Sequence, residues 1–238
     1  MTDFTAAFHT AFTMVVTLDS GLMEIVGLSL RVNFVAVGVA VGVGFPVGAA
    51  VAILRFPGRR ALSVIMNALM GMPPVVVGLI VYLLLSRAGP FGVLGLLFTP
   101  AAMIIAQCLL ITPIVAALTR QTIEDLWIEY REQLRSLGAN ALQTSRTLLW
   151  EGRFSLSTAV LAGFGRASAE VGAVMIVGGN IDHLTRVMTT AIALEVSKGD
   201  LSLALGLGII LIAISLCVNG ATYILNDIAK RRHEPSSF

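Results

Sequence analysis

Residues 32–54 read VNFVAVGVAVGVGFPVGAAVAIL, a run of 23 residues between Arg31 and Arg55 without a single charge. At about 1.5 Å of rise per residue, a helix of this length reaches across a hydrocarbon core of roughly 30 Å. Gly38, Gly42, Gly44 and Gly48 punctuate it. They would weaken a helix in water, whereas in lipid small residues let helices approach closely. The whole chain shares this character. Of its 238 residues 56% are hydrophobic and 13% charged, against roughly 25% charged in a soluble domain. A soluble protein of this size must turn much of its area to water and cannot hide so much apolar surface. The chain therefore reads as an all-α, polytopic membrane protein, and its length suits one domain of five or six spans.

Residues 62–86 form a second charge-free run, interrupted by Met70-Gly71-Met72-Pro73-Pro74. Tandem prolines remove two backbone donors, and such a break is tolerated in lipid only against protein or a wet cavity. Pro73 and Pro74 mark either a packing kink or a bend lining a transport path. A connector with Arg87, Gly89, Pro90 and Gly92 leads to a third span over residues 97–119, with Pro100 in its first turn. The fourth, residues 154–177, is rich in small residues from Ala162 to Ala173 and carries Arg166 and Glu170. Four apart, these share a helix face and either neutralise one another or line a cavity or two-fold interface. Gly178-Gly179-Asn180 ends that span, and a polar segment from Asp182 to Asp200 precedes the fifth, residues 201–226.

The first thirty residues hold no Lys or Arg, so no signal peptide is expected. Residues 1–18, with His9 breaking the apolar stretch 4–18, read as an interfacial helix or elbow, a weak extra span being the alternative. No internal repeat is visible, which argues against the symmetry of many secondary transporters.

With the C-terminus in the cytoplasm, five spans put the N-terminus outside. The inner segments then hold eleven basic residues: Arg55, Arg59, Arg60, Arg120, Arg131, Arg135, Arg146, Arg153, Lys230, Arg231 and Arg232. The outer connectors hold three, Arg87, Arg186 and Lys198, with Arg31 at a span's outer mouth. This asymmetry predicts five spans, N-out and C-in.

Residues 120–153 break the pattern, holding ten of the thirty charged residues. From Thr122, Ile123, Leu126, Trp127, Tyr130, Leu134 and Leu137 recur along one helical face. Gly138 ends that helix and Asn140 caps a second one, through Leu148 and Leu149. The segment reads as helix, turn, helix on the membrane surface.

Other chemistries find little support. A net charge of +2 is too small to argue for nucleic acid. Cys108 and Cys217 lie in apolar runs, and His9, His183 and His233 are scattered, so no metal-ligand spacing exists. No catalytic set of His, Asp, Ser or Cys is evident within the spans, and no phosphate-cradling glycine loop is present.

The surface segment, Glu132-Gln133-Leu134, three residues, Gly138, nine residues, Leu148-Leu149-Trp150-Glu151, resembles the cytoplasmic coupling loop of ABC importer permeases. That family pattern is Glu-Ala-Ala, three residues, Gly, nine residues, Ile, any residue, Leu-Pro. Glu132 and Gly138 match, Leu148 replaces Ile, and the Ala-Ala and Leu-Pro pairs are absent. Pro73-Pro74, residues 164–172, Gly179-Asn180, Thr185 to Ile192 and Ser197 to Asp200 look like the molybdate and tungstate branch of type I importers, closest to tungstate permeases.

The resemblance implies a type I ABC importer permease fold over residues 19–229, with a coupling loop at about 121–153 and a basic cytoplasmic tail at 230–238. It implies a transport subunit rather than an enzyme, in the inner membrane of a prokaryote. Its implied partners are a second copy of the chain, a dimer of ATPase subunits that bind the ATP, an extracytoplasmic binding protein and membrane lipid. No cofactor or metal is expected in this chain. Glu132, Leu137, Gly138, Ala139 and Asn140 are expected to meet the ATPase. Pro73, Pro74, Glu170, Asn180, Thr189 and Thr190 are candidates for the path, the last three as hydrogen-bond donors to an oxyanion near the outer gate. Tungstate is the expected cargo, with molybdate, another small anion or solute, or a stand-alone secondary transporter as alternatives. The short stretch after the last basic cluster leads us to expect no regulatory domain.

Overall fold

A computed structural model describes residues 4–233, and the side chains of residues 8–224. Among the described residues every regular element is helical: α1 (Phe4–Val16), α2 (Ser20–Ile53), α3 (Arg59–Met70), α4 (Pro74–Leu85), a 3₁₀ turn (Gly92–Leu94), α5 (Pro100–Ser136), α6 (Ala141–Glu151), α7 (Arg153–Ser168), α8 (Gly172–Gly178), α9 (Met188–Lys198) and α10 (Leu201–His233). Three are long and apolar enough to cross a membrane alone: α2, α5, and α10 over Leu201–Ile224. Counting the bent pairs α3–α4 and α7–α8 as one span each gives the expected five.

The central pair is α2 against α5. Gly48 makes the close approach possible. A Cβ there would lie 2.5 Å from the Ala116 carbonyl oxygen and 2.7 Å from the Thr119 Cβ, so any larger residue would force the helices apart. Around this pair α4 and α8 form one end of the bundle, with Val77, Val81, Leu85, Ala173, Val174 and Val177 buried against Ala102, Met103, Ala106 and Leu110 of α5. At the other end Ile123 and Leu148 are fully buried with Ala49 and Ala52. Leu22, Met188, Ala191 and Leu207 join α2, α9 and α10, and α1 packs along α10.

The structure differs from the sequence-based expectation in four places. First, the run 62–86 is not one straight span: α3 and α4 meet at 102°. Pro73, with φ −62° and ψ 124°, precedes α4, and Pro74 occupies its first turn. The lost donors and ring clashes end α3 at Met70. Second, the fourth run is broken by 57° between α7 and α8.

Third, no new helix begins at Thr122. α5 runs unbroken for 37 residues, from Pro100 at its first position to Ser136. At about 55 Å it outreaches the hydrocarbon core and projects beyond it. Leu118 to Thr122 contain neither Gly nor Pro, so nothing stops the helix where hydropathy falls. Fourth, α2 starts at Ser20, capped by the Asp19 carboxylate, which accepts from the amides of Gly21 and Leu22 at 3.1 Å each. Arg31, which precedes the charge-free run, therefore lies within this helix. Of the basic tail, residues 234–238 and the side chains from residue 225 lie outside the described residues.

Candidate functional site

The turn at Gly138 is built from two complementary motifs. At the end of α5, the Gly138 amide donates to the Arg135 carbonyl at 3.0 Å and the Ala139 amide to the Leu134 carbonyl at 3.0 Å. This is a Schellman ending, which needs a left-handed residue, and Gly138 supplies φ +70°. Two residues on, the Asn140 Oδ1 accepts from the Gln143 amide, and the Gln143 Oε1 accepts from the Asn140 amide, both at 2.9 Å. That reciprocal box fixes the start of α6. The expected cap at Asn140 is thus present.

The knob formed by the end of α5 and by α6 is anchored from below and bare at its tip. Ile123 and Leu148 are its fully buried pegs, with Leu126, Trp127, Tyr130, Leu134 and Leu149 half-buried around them. Leu137 and Leu142 are 81% and 68% exposed. Glu132 is exposed too, and its nearest cation is Arg131 at 4.0 Å. Arg135 stands over the Trp127 ring at 5.7 Å. Two bare leucines ringed by charged and amide side chains, on a turn made rigid by its caps, form a surface suited to entering a cleft on another protein. Leu142 was not singled out in the sequence. Its exposure follows from the phase of α6, once Leu148 is known to point inward.

The path candidates fall into two clusters. Glu170 lies buried at the α7–α8 break: its Oε2 is 3.4 Å from the Arg166 Nη2, and its Oε1 accepts from the Ala173 amide at 3.0 Å. Thr189 donates to the Glu170 carbonyl at 2.8 Å. Asn180, at φ +49°, accepts at Oδ1 from the Thr190 hydroxyl at 2.8 Å. Thr190 also accepts from the Val187 amide at 3.2 Å and is fully buried. In this conformation the Thr189 and Thr190 hydroxyls hold the turn between α8 and α9 and turn no donor toward an open channel. Pro73 is exposed and Pro74 half-buried. Beside them Val75, Val76, Leu79, Ile80 and Leu83 form an uncovered face of α4.

Hydropathy alone hid a polar seam between these clusters. Gln107 Nε2 donates to Asn33 Oδ1 at 3.1 Å and to the Ala167 carbonyl at 3.3 Å. Asn33 Nδ2 donates to Ser168 at 3.4 Å, and Ser29 accepts from the Met188 amide at 2.7 Å. With Glu170 and Thr189 they line a cavity of about 10 Å³, roughly the room for one water and far less than a tetrahedral oxyanion needs. Isolated amides in an apolar run were the available signal, since lipid-facing helices avoid them.

On the opposite face His183 Nδ1 meets the Glu24 carboxylate at 2.8 Å, and Arg186 pairs with Asp182 at 2.7 Å. The hydrogen bond that the Glu24 carboxylate accepts, then its charge and that of Asp182, raise the His183 pKa above its ordinary value. Among the described residues no cluster of His, Cys, Asp and Glu is arranged to hold a metal.

Comparison with known proteins bears on this geometry. The family model described as "Binding-protein-dependent transport system inner membrane component" matches residues 44–232, which include the knob, both breaks and Gln107 and Ser168 of the polar seam, but not its Ser29 and Asn33. The chain belongs to this family. It is 40% identical over 220 residues to the tungstate uptake system permease protein TupB of Peptoclostridium acidaminophilum, covering 92% of this chain and 96% of that one. A probable anion ABC transporter permease protein of Haloferax volcanii is 38% identical over 83% of this chain and 88% of its own. The TupB of Campylobacter jejuni is 41% identical over 72% of each. The resemblance carried by Glu132, Gly138 and residues 164–192 thus extends over most of the chain. As an inner-membrane component of a binding-protein-dependent system, the chain is a transport subunit.

Proposed function

We propose that this chain is the permease subunit of an ATP-driven importer that carries tungstate across the inner membrane. The observation that carries the reading is the capped knob at Gly138 in a member of a binding-protein-dependent transport family whose similar relatives include two named as tungstate permeases. The knob seats Leu137 and Leu142 in a cleft of an ATPase subunit, with Glu132, Gly138, Ala139 and Asn140 at the rim. ATP is held by that partner, and this chain carries no cofactor of its own.

Two copies of the chain face each other across a two-fold axis, with the termini placed N-out and C-in by the basic residues of the inner segments. A binding protein delivers the anion from outside. Closure of the ATPase pair drives the two knobs as rigid bodies, and α4, Glu170 and the Asn180–Thr190 turn, next to the two helix breaks, rearrange to open the path. Thr189, Thr190 and Asn180 then exchange internal hydrogen bonds for bonds to the passing dianion. Such an exchange holds the anion briefly without the trap a fixed arginine clamp would make.

The test is elemental. Cellular tungsten, molybdenum and vanadium are measured by mass spectrometry at nanomolar supply, with and without the chain. Selective loss of tungsten is expected. Loss of molybdenum alone reassigns the cargo, and no change in any of the three overturns the oxyanion reading.

A further inference from the structure

Where α2 ends, α3 begins and α5 leaves the bundle, one side chain ties all three. Arg59, the first residue of α3, donates from Nε to the Val51 carbonyl at 2.6 Å and from Nη2 to the Ala52 carbonyl at 2.9 Å. These are orphan acceptors at the end of α2, where a cation is favoured. The same Nη2 reaches the Glu124 Oε1 of α5 at 2.6 Å. Arg120 closes the arrangement by donating to the other Glu124 oxygen, Oε2, at 2.6 Å.

A single exposed ion pair contributes little to stability, and the three side chains here remain 17–34% exposed. What distinguishes this cluster is connection. Glu124 follows Ile123, the buried peg that holds α6 and the end of α2 together. Ala49 and Ala52 of α2 lie in that same cluster, the first next to Gly48 and the second one turn beyond it, close to its contact with α5. The root of the knob, the end of α2 and the start of α3 are therefore joined as one body. Beyond it α3 leads straight to the 102° break and to α4 with its uncovered face. Past Gly58, at φ +91°, and the irregular residues 54–58, α3 is held by the packing of Leu62, Met66 and Met70 against Val51, Ala116 and Ala117, and Arg59 adds a directed polar tie at its root.

We propose that Arg59 is a positioning residue that carries the stroke of the knob to α3 and α4, with Glu124 as its acceptor and Arg120 holding that acceptor in place. The stroke itself rests on the permease reading above, but the mechanical link does not.

The link is tested first on the full chain alone in lipid nanodiscs. Spin labels are placed at Val64→Cys on α3 and Leu142→Cys on α6, both about two-thirds exposed, with Cys108 and Cys217 changed to Ser and labelled chain diluted into unlabelled chain. The parent should give one narrow distance distribution. Arg59→Gln should broaden it at least two-fold, and Arg59→Lys, which keeps the charge but loses the fork, should fall between. An unchanged width in Arg59→Gln overturns the proposal.

The complex with the ATPase supplies the second readout, ATP hydrolysed per anion carried. Arg59→Gln and Glu124→Gln should raise this ratio at least three-fold while complex yield stays within two-fold of the parent. A fall in yield with an unchanged ratio would mean the cluster only supports folding, and would overturn the proposal. If the parent complex shows no ATP-linked uptake, the permease reading fails, while the label widths still decide the link.

Discussion

Glu170 and Arg166 stand one helical turn apart with 3.4 Å between Oε2 and Nη2, and the carboxylate is only 4% exposed. The pair sits where α7 gives way to α8, and the other carboxylate oxygen receives the Ala173 amide. One side chain therefore neutralises a cation inside the bundle and starts the next helix. Breaking a buried pair from one side costs about 3–5 kcal/mol, while replacing both partners with apolar groups is far milder. Arg166 is about one-third exposed, so the cost here falls toward or below the low end of that range. Thermal unfolding in detergent should rank Arg166→Leu as the most damaging change, because it strands a buried carboxylate. Glu170→Gln, which keeps the hydrogen bond to Ala173, should be milder. The double Leu variant should be more stable than Arg166→Leu alone, and strict additivity of the two changes would show that the residues do not act as a pair.

The α2–α5 contact yields a prediction with an internal control. A Cβ at Gly48 would meet the Ala116 carbonyl at 2.5 Å, whereas at Gly42 nothing lies within 4 Å. Gly48→Ala should lower the melting midpoint, by a loss on the order of 1–3 kcal/mol typical of overpacking. Gly42→Ala should leave the midpoint unchanged or raise it, since alanine gains about 0.5–1 kcal/mol over glycine inside a helix. Equal effects at the two positions would mean that α2 and α5 do not approach as closely as the structure has them.

The loop between α8 and α9 should respond to pH through His183. Glu24 raises the folded-state pKa of this histidine, so protonation is favoured by folding. The tie between the α8–α9 loop and α2 is then fully present below the unfolded value of about 6.5 and is lost as pH rises through the higher folded value. Hydrogen exchange over residues 180–187 should accelerate as pH climbs through that window, beyond the intrinsic base catalysis seen in a reference peptide. His183→Gln should remove the excess. The same excess in His183→Gln would exclude the histidine as its source.

These elements differ in how openly the sequence displays them. The five apolar runs and the cap at Asn140 were legible because each rests on local chemistry: charge-free length in one case, a short side chain before a helical stripe in the other. The bends were only half legible. Pro73 and Pro74 announce a break, but its 102° angle depends on α3 packing across α5. The unbroken helix from Pro100 to Ser136 was missed because hydropathy changes at Thr119 while helix propensity does not. Asn33, Gln107 and Ser168 were invisible as a group, since their partners lie 60 or more residues away. The same holds for Arg59 and Glu124, 65 residues apart, which a linear reading assigned only to inner-side charge.

Gly138 gives the sharpest separation between backbone conformation and docking. Its φ of +70° is left-handed, yet nothing lies within 4 Å of the position a Cβ would take. The constraint on the isolated chain is therefore conformational rather than one of space, and an L-residue there costs about 1–2 kcal/mol. Gly138→Ala and Gly138→Leu should destabilise the chain to a similar extent, and Gly138→Asn, whose side chain tolerates the left-handed region, should do so less. Docking should rank them differently. Leucine adds bulk at the tip between Leu137 and Asn140, so it should abolish copurification with the ATPase or uncouple its turnover, while asparagine should retain part of both. All three variants should still insert, because no span depends on this turn. Normal substrate-stimulated hydrolysis with Gly138→Leu would remove the knob from the interface and would send the search for the ATPase contact to another surface of the protein.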